Sequence, residues 1–254
     1  MIVAESVSKS FDGGKTFAAK NVSFTVETGT VLALLGGSGS GKSTVVKIIN
    51  RLIEPTAGKV LVGDEDIMQQ DPVLLRRKIG YVFQAIGLFP HMTVAENVGM
   101  VPKLLGQKPD EYKGRVDELL DMVELPASEF ANRYPHQMSG GQRQRVGFAR
   151  ALAGGAKVML LDEPFGALDP VTRDSLQSEF KNIQENLGLT ALVVTHDMAE
   201  ALLLADQIAV MLDGEVVRIG TPRELLKEPG NEYVAKLLST PRRHGELMRT
   251  LEAS

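Results

Sequence analysis

The chain has 254 residues, of which 43% are apolar, and it carries a formal net charge of −4 with no cysteine. These values predict a globular protein with a full hydrophobic core, and they argue against nucleic acid as the main partner. The lack of cysteine also excludes disulfides and cysteine-ligated metals. We find neither a secretory signal pattern nor an apolar run of membrane-spanning length, so we expect any membrane role to be peripheral.

Two segments near the N-terminus alternate apolar and polar residues, which predicts antiparallel strands over 2–6 and 22–26. The sequence Asp12-Gly13-Gly14 predicts a turn between them. Phe11 lies just before this turn. An aromatic ring at that position could stack on a nucleotide base or belong to the core, and the local sequence leaves both interpretations open.

Residues 36–44 match the pattern G-x-x-x-x-G-K-[ST] of a phosphate-binding P-loop. A short apolar run over 30–35 predicts a buried strand before the loop, and 45–50 predicts a helix after it. A Gly/Ser linker is the alternative, but it does not explain this order of elements. The loop's amides and the helix N-terminus would hold phosphates, Lys42 would reach the β- and γ-phosphates, and the Ser43 hydroxyl would bind Mg²⁺. The predicted nucleotide-binding residues are Gly36, Gly37, Ser38, Gly39, Ser40, Gly41, Lys42, Ser43 and Thr44.

The segment 85–155 differs from the rest because its periodicity is mostly helical, for example over 115–123 and 142–152. It follows an apolar run that predicts a strand ending at Gln84. We therefore predict a helical lobe, 85–155, inserted into an α/β lobe formed by 1–84 and 156–240. Residues 241–254 are predicted to form a C-terminal tail.

A buried strand is predicted to end at the acids Asp162 and Glu163. In a chain that contains a P-loop, an acid at this place is expected to hold Mg²⁺, and Glu163 would polarise a water. The alternative is an ordinary pair of solvated acids at a strand end. A second apolar strand, 190–195, is followed by His196, which would lie at the ligand-binding edge of an open α/β sheet. A single histidine is nevertheless more often structural.

The sequence Ser139-Gly140-Gly141-Gln142 completes an ordered set of motifs with the P-loop, Gln84, Glu163, 167–169 and His196. Over about residues 1–240 the chain resembles the ATP-binding subunit of an ABC transporter. The resemblance implies an α/β fold in which a P-loop NTPase core sheet carries an antiparallel β subdomain and an inserted α-helical subdomain.

The resemblance also implies that ATP and Mg²⁺ are held between two copies of the chain. The residues Ser139, Gly140, Gly141 and Gln142 of one copy would face the γ-phosphate bound by the other. Glu163 would be the general base, His196 would contact the γ-phosphate, and Gln84 would link the metal and water to a membrane partner. Asp169 would lie at the dimer interface and Phe11 would stack on adenine. The implied catalytic residues are Lys42, Gln84, Glu163 and His196, and the implied metal ligands are Ser43, Gln84 and Asp162.

Segments 76–93 and 165–170 resemble bacterial importers, especially those for quaternary-amine osmoprotectants such as glycine betaine, choline or carnitine. This implies transmembrane permease subunits as partners, indirectly an extracytoplasmic substrate-binding protein, and a peripheral location at the cytoplasmic face of the cell membrane. Phe89 and Met92 are candidate contacts to the permease, or else pack within the helical lobe. An importer ATPase for another small solute, such as an amino acid, and a soluble ABC ATPase are the alternatives.

Overall fold

Two β-sheets organise the chain, which the computed structural model describes at residues 1–83 and 87–252. The described strands are β1 (Ile2–Lys9), β2 (Ala19–Val26), β3 (Val31–Leu35), β4 (Ala57–Val62), β5 (Glu65–Asp66), β6 (Ile79–Val82), β7 (Val158–Asp162), β8 (Thr190–Thr195), β9 (Gln207–Leu212) and β10 (Glu215–Gly220). One sheet has the order β2-β1-β4-β5 and is antiparallel, whereas the other has the order β10-β9-β3-β8-β7-β6. The predicted α/β class with an additional antiparallel sheet is confirmed.

The central part of the six-stranded sheet is parallel, so its strands present their carboxyl ends at one edge. Leu35 pairs with Thr195, and Asp162 pairs with Val194. All five residues of β3 are buried, because the sheet is covered on both faces. Alternate residues of β3 enter two cores: Val31, Ala33 and Leu35 face one, and Leu32 and Leu34 face the other.

Helices cover both faces of this sheet. They are α1 (Lys42–Ile49), α2 (Pro72–Lys78), α3 (Val94–Val98), α4 (Met100–Leu104), α5 (Pro109–Met122), α6 (Ala127–Phe130), α7 (Gly140–Leu152), α8 (Pro170–Leu187), α9 (Met198–Leu204), α10 (Pro222–Lys227) and α11 (Glu232–Glu252). Among the described helices, none combines the length and apolar character needed to cross a bilayer.

The predicted helical segment contains α3 to α7. The helices α3, α5 and α7 contact one another, and α7 also packs against β6. The helical segment is therefore attached to the main sheet through α7. At the C-terminal end, α11 runs without interruption across residues 240 and 241, where the sequence predicted the domain to give way to a tail. The division into lobes at 84 and 156 stays a prediction.

Candidate functional site

The loops that follow β3, β7 and β8 surround a cavity of about 720 Å³. Its described lining consists of Ala18, Gly37, Ser38, Gly39, Gly41, Lys42, Ser43, Thr44, Glu163 and His196. The fold thus brings most of the P-loop together with Glu163 and His196, as the order of motifs predicted. Gly36 and Ser40 are buried behind this surface.

Glycine is required at two positions of the P-loop because backbone atoms approach it closely. A Cβ atom on Gly36 would overlap the carbonyl oxygen of Met211, and one on Gly41 would overlap the carbonyl oxygen of Ala18. Gly41 also has a φ of +100°, a backbone conformation that favours glycine. The loop can therefore follow this tight path against β9 and the start of β2 only with glycine at both positions.

The Lys42 ammonium is buried within the loop, with only 5% of the residue exposed. Its Nζ donates to the carbonyl oxygens of Gly36 and Gly37, both at 2.8 Å, and to Ser40 Oγ at 3.3 Å. Burial lowers the pKa of Lys42, while the carboxylates of Glu163 and Asp162 raise it. A cation that is hydrogen-bonded to neutral oxygens in a partly desolvated site will interact strongly with an incoming phosphate.

Ser43 and Asp162, two of the predicted metal ligands, contact each other directly. Ser43 Oγ donates to Asp162 Oδ1 at 3.0 Å. Asp162 is 9% exposed, and burial raises the pKa of its carboxyl group. A hydroxyl and a carboxylate side by side provide the hard oxygen ligands that Mg²⁺ prefers, so these residues fit the predicted ion. The third predicted ligand, Gln84, lies outside the described residues.

Glu163 turns away from Asp162 and faces the cavity. Its Oε2 lies 3.3 Å from His196 Nδ1, and its backbone N–H donates to the Val194 carbonyl oxygen at 3.0 Å. Glu163 has a φ of +47°, which is uncommon for a residue with a side chain and is typical of strained functional sites. The two consecutive acids therefore have different partners: Asp162 contacts the P-loop helix and Glu163 contacts His196.

Five further predicted site residues lie at the starts of two helices, outside the described lining of the cavity. Ser139 Oγ accepts from the Gln142 N–H at 3.2 Å, and Gln142 Oε1 accepts from the Ser139 N–H at 2.9 Å. This reciprocal capping box fixes the start of α7. Ser139 is exposed and Gly140 is half-buried.

Asp169 caps the neighbouring helix α8. Its Oδ1 accepts from the Thr172 N–H at 3.1 Å, and hydrogen bonds from the side chain and backbone of Thr172 lower the pKa of Asp169. A Cβ atom on Gly141 would overlap Thr172 Cγ2, so the starts of α7 and α8 touch. The starts of these two helices therefore form a second group of predicted site residues, which we call the α7/α8 edge. It consists of Ser139, Gly140, Gly141, Gln142 and Asp169.

Phe11 is 68% exposed, so the interpretation of Phe11 as a core residue is wrong. The ring lies 5.1 Å from Lys9 Nζ, in a loop that Asp12 organises by accepting hydrogen bonds from the N–H groups of Lys15 and Thr16. The hydrogen bonds, above all the backbone N–H of Thr16, lower the pKa of Asp12 to about 2. The loop thus presents the aromatic ring to solvent, although Phe11 is not part of the described cavity lining.

Sequence reasoning missed several residues that contact the P-loop, among them Ala18 and Tyr233. Ala18 lines the cavity, and Tyr233 on α11 accepts a hydrogen bond from the Gly37 N–H. Neither carries a local signal, because both contacts depend on how distant segments pack.

Three comparisons place the chain among known proteins. A family model described as ABC transporter matches residues 19–166. The carnitine transport ATP-binding protein of Listeria monocytogenes is 52% identical over 95% of this chain and 60% of its own length. The choline transport ATP-binding protein of Bacillus subtilis is also 52% identical, over 95% of this chain and 63% of its own length. The chain therefore spans about 60% of the length of these curated relatives.

A solved structure is similar to this chain over nearly all of the solved chain's own length. It is a dimeric ATP-binding cassette in a post-hydrolysis state, bound to ADP and Pi. The two chains share 38% identity with a TM-score of 0.78, and the match covers 88% of this chain and 99% of the other. The resemblance that the motifs indicated is confirmed at the level of family and fold.

Proposed function

Because the chain belongs to the ABC transporter family, we propose that it is the ATP-hydrolysing subunit of a membrane importer for quaternary-amine osmoprotectants such as glycine betaine, choline or carnitine. The observation that carries the proposal is the cavity in which the P-loop, Glu163 and His196 converge beside the Ser43–Asp162 pair. The solute class is supported by the names of the two relatives, which are described as carnitine and choline transport proteins.

ATP would bind with its phosphates in the P-loop. The Lys42 ammonium would exchange the carbonyl oxygens of Gly36 and Gly37 for charged phosphate oxygens, which are stronger acceptors. Ser43 and Asp162, which contact each other, would hold magnesium, and the bound ion would neutralise part of the phosphate charge. Phe11 would stack on the adenine ring, since its exposed face is available for a planar partner.

Glu163 is the proposed general base. His196 orients the Glu163 carboxylate from one side at 3.3 Å. The carboxylate would accept a proton from a water whose oxygen bonds to the γ-phosphorus as the bond to the β–γ bridging oxygen breaks, which yields ADP and phosphate. Gln84 keeps its proposed role in linking this site to the membrane partner.

The α7/α8 edge would complete the ATP site of a second copy of the chain. The prediction is that Ser139, Gly141 and Asp169 face nucleotide or the dimer interface. They are not part of the described lining of the cavity in their own copy. The amides at the start of α7 suit an anion such as the γ-phosphate. The dimeric state of the similar solved cassette supports this arrangement. ATP would then shift the population towards a closed dimer, and hydrolysis would release it.

The proposed membrane partners are permease subunits and, through them, an extracytoplasmic substrate-binding protein. The loop before α3 would receive the permease at the cytoplasmic face of the membrane. Asn97, which is fully buried, holds this loop by donating to the carbonyl oxygens of Phe89, Met92 and Thr93. The Phe89 side chain is 40% exposed on this rigid support and is the proposed contact.

Two linked measurements on Glu163→Gln test the proposal. The variant should bind ATP like the parent but hydrolyse it about 10²- to 10⁴-fold more slowly, the usual range for loss of a general base. Glu118→Gln, which changes an exposed acid on α5, should hydrolyse ATP normally. Parental turnover by Glu163→Gln would exclude Glu163 as the base.

The Glu163→Gln variant, which is expected to bind ATP and hydrolyse it slowly, is then captured from native membranes. The proteins captured with it are identified by mass spectrometry. We expect a polytopic membrane protein together with a binding protein that has an aromatic cage for quaternary ammonium. A different binding protein would retain the import function and overturn the solute class. Ribosomal or DNA-bound partners alone would instead support a soluble ABC ATPase.

A further inference from the structure

Tyr233, near the start of α11, joins the C-terminal part of the fold to the P-loop. The Gly37 N–H donates to the Tyr233 hydroxyl oxygen at 3.0 Å, across 196 positions in the sequence. The Tyr233 N–H in turn donates to Asn231 Oδ1 at 2.8 Å. Val234 and Leu238 of the same helix are fully buried. The hydroxyl is therefore presented to the loop by an element whose position is fixed by the core.

Residue 37 is held from both sides. Its N–H bonds to Tyr233, and its carbonyl oxygen accepts from Lys42 Nζ at 2.8 Å. Gly37 also lines the cavity. If Lys42 turns to the phosphates when ATP binds, the carbonyl of residue 37 loses this partner, and the bond to Tyr233 remains to hold the start of the loop.

We propose that Tyr233 is a positioning residue for ATP binding, whose hydroxyl fixes the start of the P-loop before and after Lys42 changes partner. This inference rests on the proposed nucleotide site. Holding the loop in its binding path lowers the ordering cost that the nucleotide would otherwise meet, and this favours affinity. The expected effect is on ATP affinity and KM, since Tyr233 contacts neither Glu163 nor His196 among the hydrogen bonds of the described residues.

Tyr233 also lies beside a second cavity, of about 610 Å³, between α9 and α11. Its wall includes His196, Lys236 and Pro241. Because α11 packs against α9, the helix that carries Tyr233 also borders the segment that carries His196. The alternative explanation of the Tyr233 contact is that it only anchors α11 to the sheet, so the test must separate nucleotide affinity from stability.

The test is Tyr233→Phe, which keeps the aromatic ring and removes the hydroxyl, with Tyr112→Phe on α5 as the matched control. ATP affinity is measured in the Glu163→Gln background, KM and kcat are measured with an intact Glu163, and exchange of the Gly37 amide is followed without nucleotide. Loss of one hydrogen bond should weaken ATP binding and raise KM by about 2- to 10-fold at unchanged kcat. The Gly37 amide should exchange faster, and Tyr112→Phe should match the parent in all readouts.

Equal ATP affinity of Tyr233→Phe and its parent would overturn the inference, even with a lower melting temperature, because the contact would then be structural only. Failure of the parent to bind ATP would instead contradict the proposed function. ATP binding by the parent therefore distinguishes failure of the Tyr233 inference from failure of the proposed function.

Discussion

At the scale of single residues, the environment of each carboxyl group decides what it can do. Asp162 is buried against Ser43, and this burial raises its pKa, whereas Glu163 faces the cavity beside His196. The backbone at Glu163 is left-handed, and the two consecutive acids contact different partners. In the proposed function, the Asp162 carboxylate would hold a metal and the Glu163 carboxylate would act on a water.

Glu200, on α9, carries another buried carboxyl group and is 6% exposed. Gln177 Nε2 donates to its Oε2 at 3.2 Å, and its Oε1 has no hydrogen-bond partner among the described residues. Burial raises the pKa of Glu200 to about 7. Hydrogen bonds from Thr195 and Gln177 and the charge of Arg173 lower it in part, while the charge of Asp197 raises it.

This carboxyl group makes stability depend on pH. Its pKa is 4.5 in the unfolded reference and about 7 when folded, so between these values the folded chain binds the extra proton. The free energy of unfolding should therefore fall as pH rises through this window. Glu200→Gln should be more stable than the parent at about pH 8, by on the order of 2–3 kcal/mol.

Urea unfolding at about pH 5 and about pH 8 measures this effect. The advantage of Glu200→Gln should be much smaller at the lower pH, where the folded parent carboxyl is protonated and the pH lies only slightly above the pKa of 4.5 in the unfolded chain. Glu118→Gln, at an exposed position, serves as the control and should show no such difference. An equal advantage at both pH values would contradict the assignment to Glu200 ionisation.

At the scale of elements, α7 and α8 form one unit. Arg145 on α7 donates to Glu179 Oε1 and to Ser175 Oγ on α8. Arg145 and Glu179 are both only 13% exposed at the side chain. Burial raises the pKa of Glu179, while Ser175 and Arg145 lower it. Together with the close contact of Gly141 and Thr172, these bonds make the two helices carry Ser139 and Asp169 as one edge.

The contact between Gly141 and Thr172 leads to a stability prediction. Gly141→Ala would force the start of α7 away from α8, and we expect a loss of about 1–3 kcal/mol in the free energy of unfolding. Adding Thr172→Ser removes the overlapping Cγ2 and should recover most of that loss. Chemical unfolding of the single and double variants measures the coupling.

Gly140→Ala is the matched control, because a Cβ atom there meets no described atom within 4 Å. It should change stability by less than about 1 kcal/mol. If Thr172→Ser did not relieve Gly141→Ala, steric overlap between the two helices would not be the cause.

The elements that the sequence predicted well are those with a strong local signal. The strand 30–35 was recognisable because strands covered on both faces are continuously apolar, and the observed β3 is Val31–Leu35. The start of α9 also carries a local signal, because Asp197 is a capping residue whose Oδ1 accepts from the Ala199 N–H at 2.8 Å. Shifts of one or two residues reflect weak signals at element ends. An example is β6, which ends at Val82, whereas the sequence predicted a strand ending at Gln84.

Contacts between distant segments carried no such signal. The sequence predicted Ser43 and Asp162 as metal ligands, but their hydrogen bond joins residues 119 positions apart. The Tyr233–Gly37 bond and the burial of Glu200 likewise follow from packing among α8, α9, α11 and the sheet. Local periodicity predicts which face of an element is buried, and it does not specify the partner on that face.

At the scale of the whole molecule, most of the described site residues fall into two groups, because the residues of the α7/α8 edge are not part of the described lining of the cavity. The cavity group includes Lys42, Glu163 and His196, and the α7/α8 edge includes Ser139 and Asp169. A second copy would bring an edge to each cavity, and ATP between them would join the two. Dimer closure is thus the step by which nucleotide binding would act on a permease.

The most direct test of this account is the solution mass of Glu163→Gln, measured by light scattering with and without magnesium and ATP. We predict that ATP raises the mass to twice the 27.5 kDa of one chain. Adding Ser139→Arg should keep the protein at 27.5 kDa while it still binds ATP, because the altered residue lies outside the cavity. A Glu163→Gln protein that binds ATP and remains at 27.5 kDa would contradict the composite site.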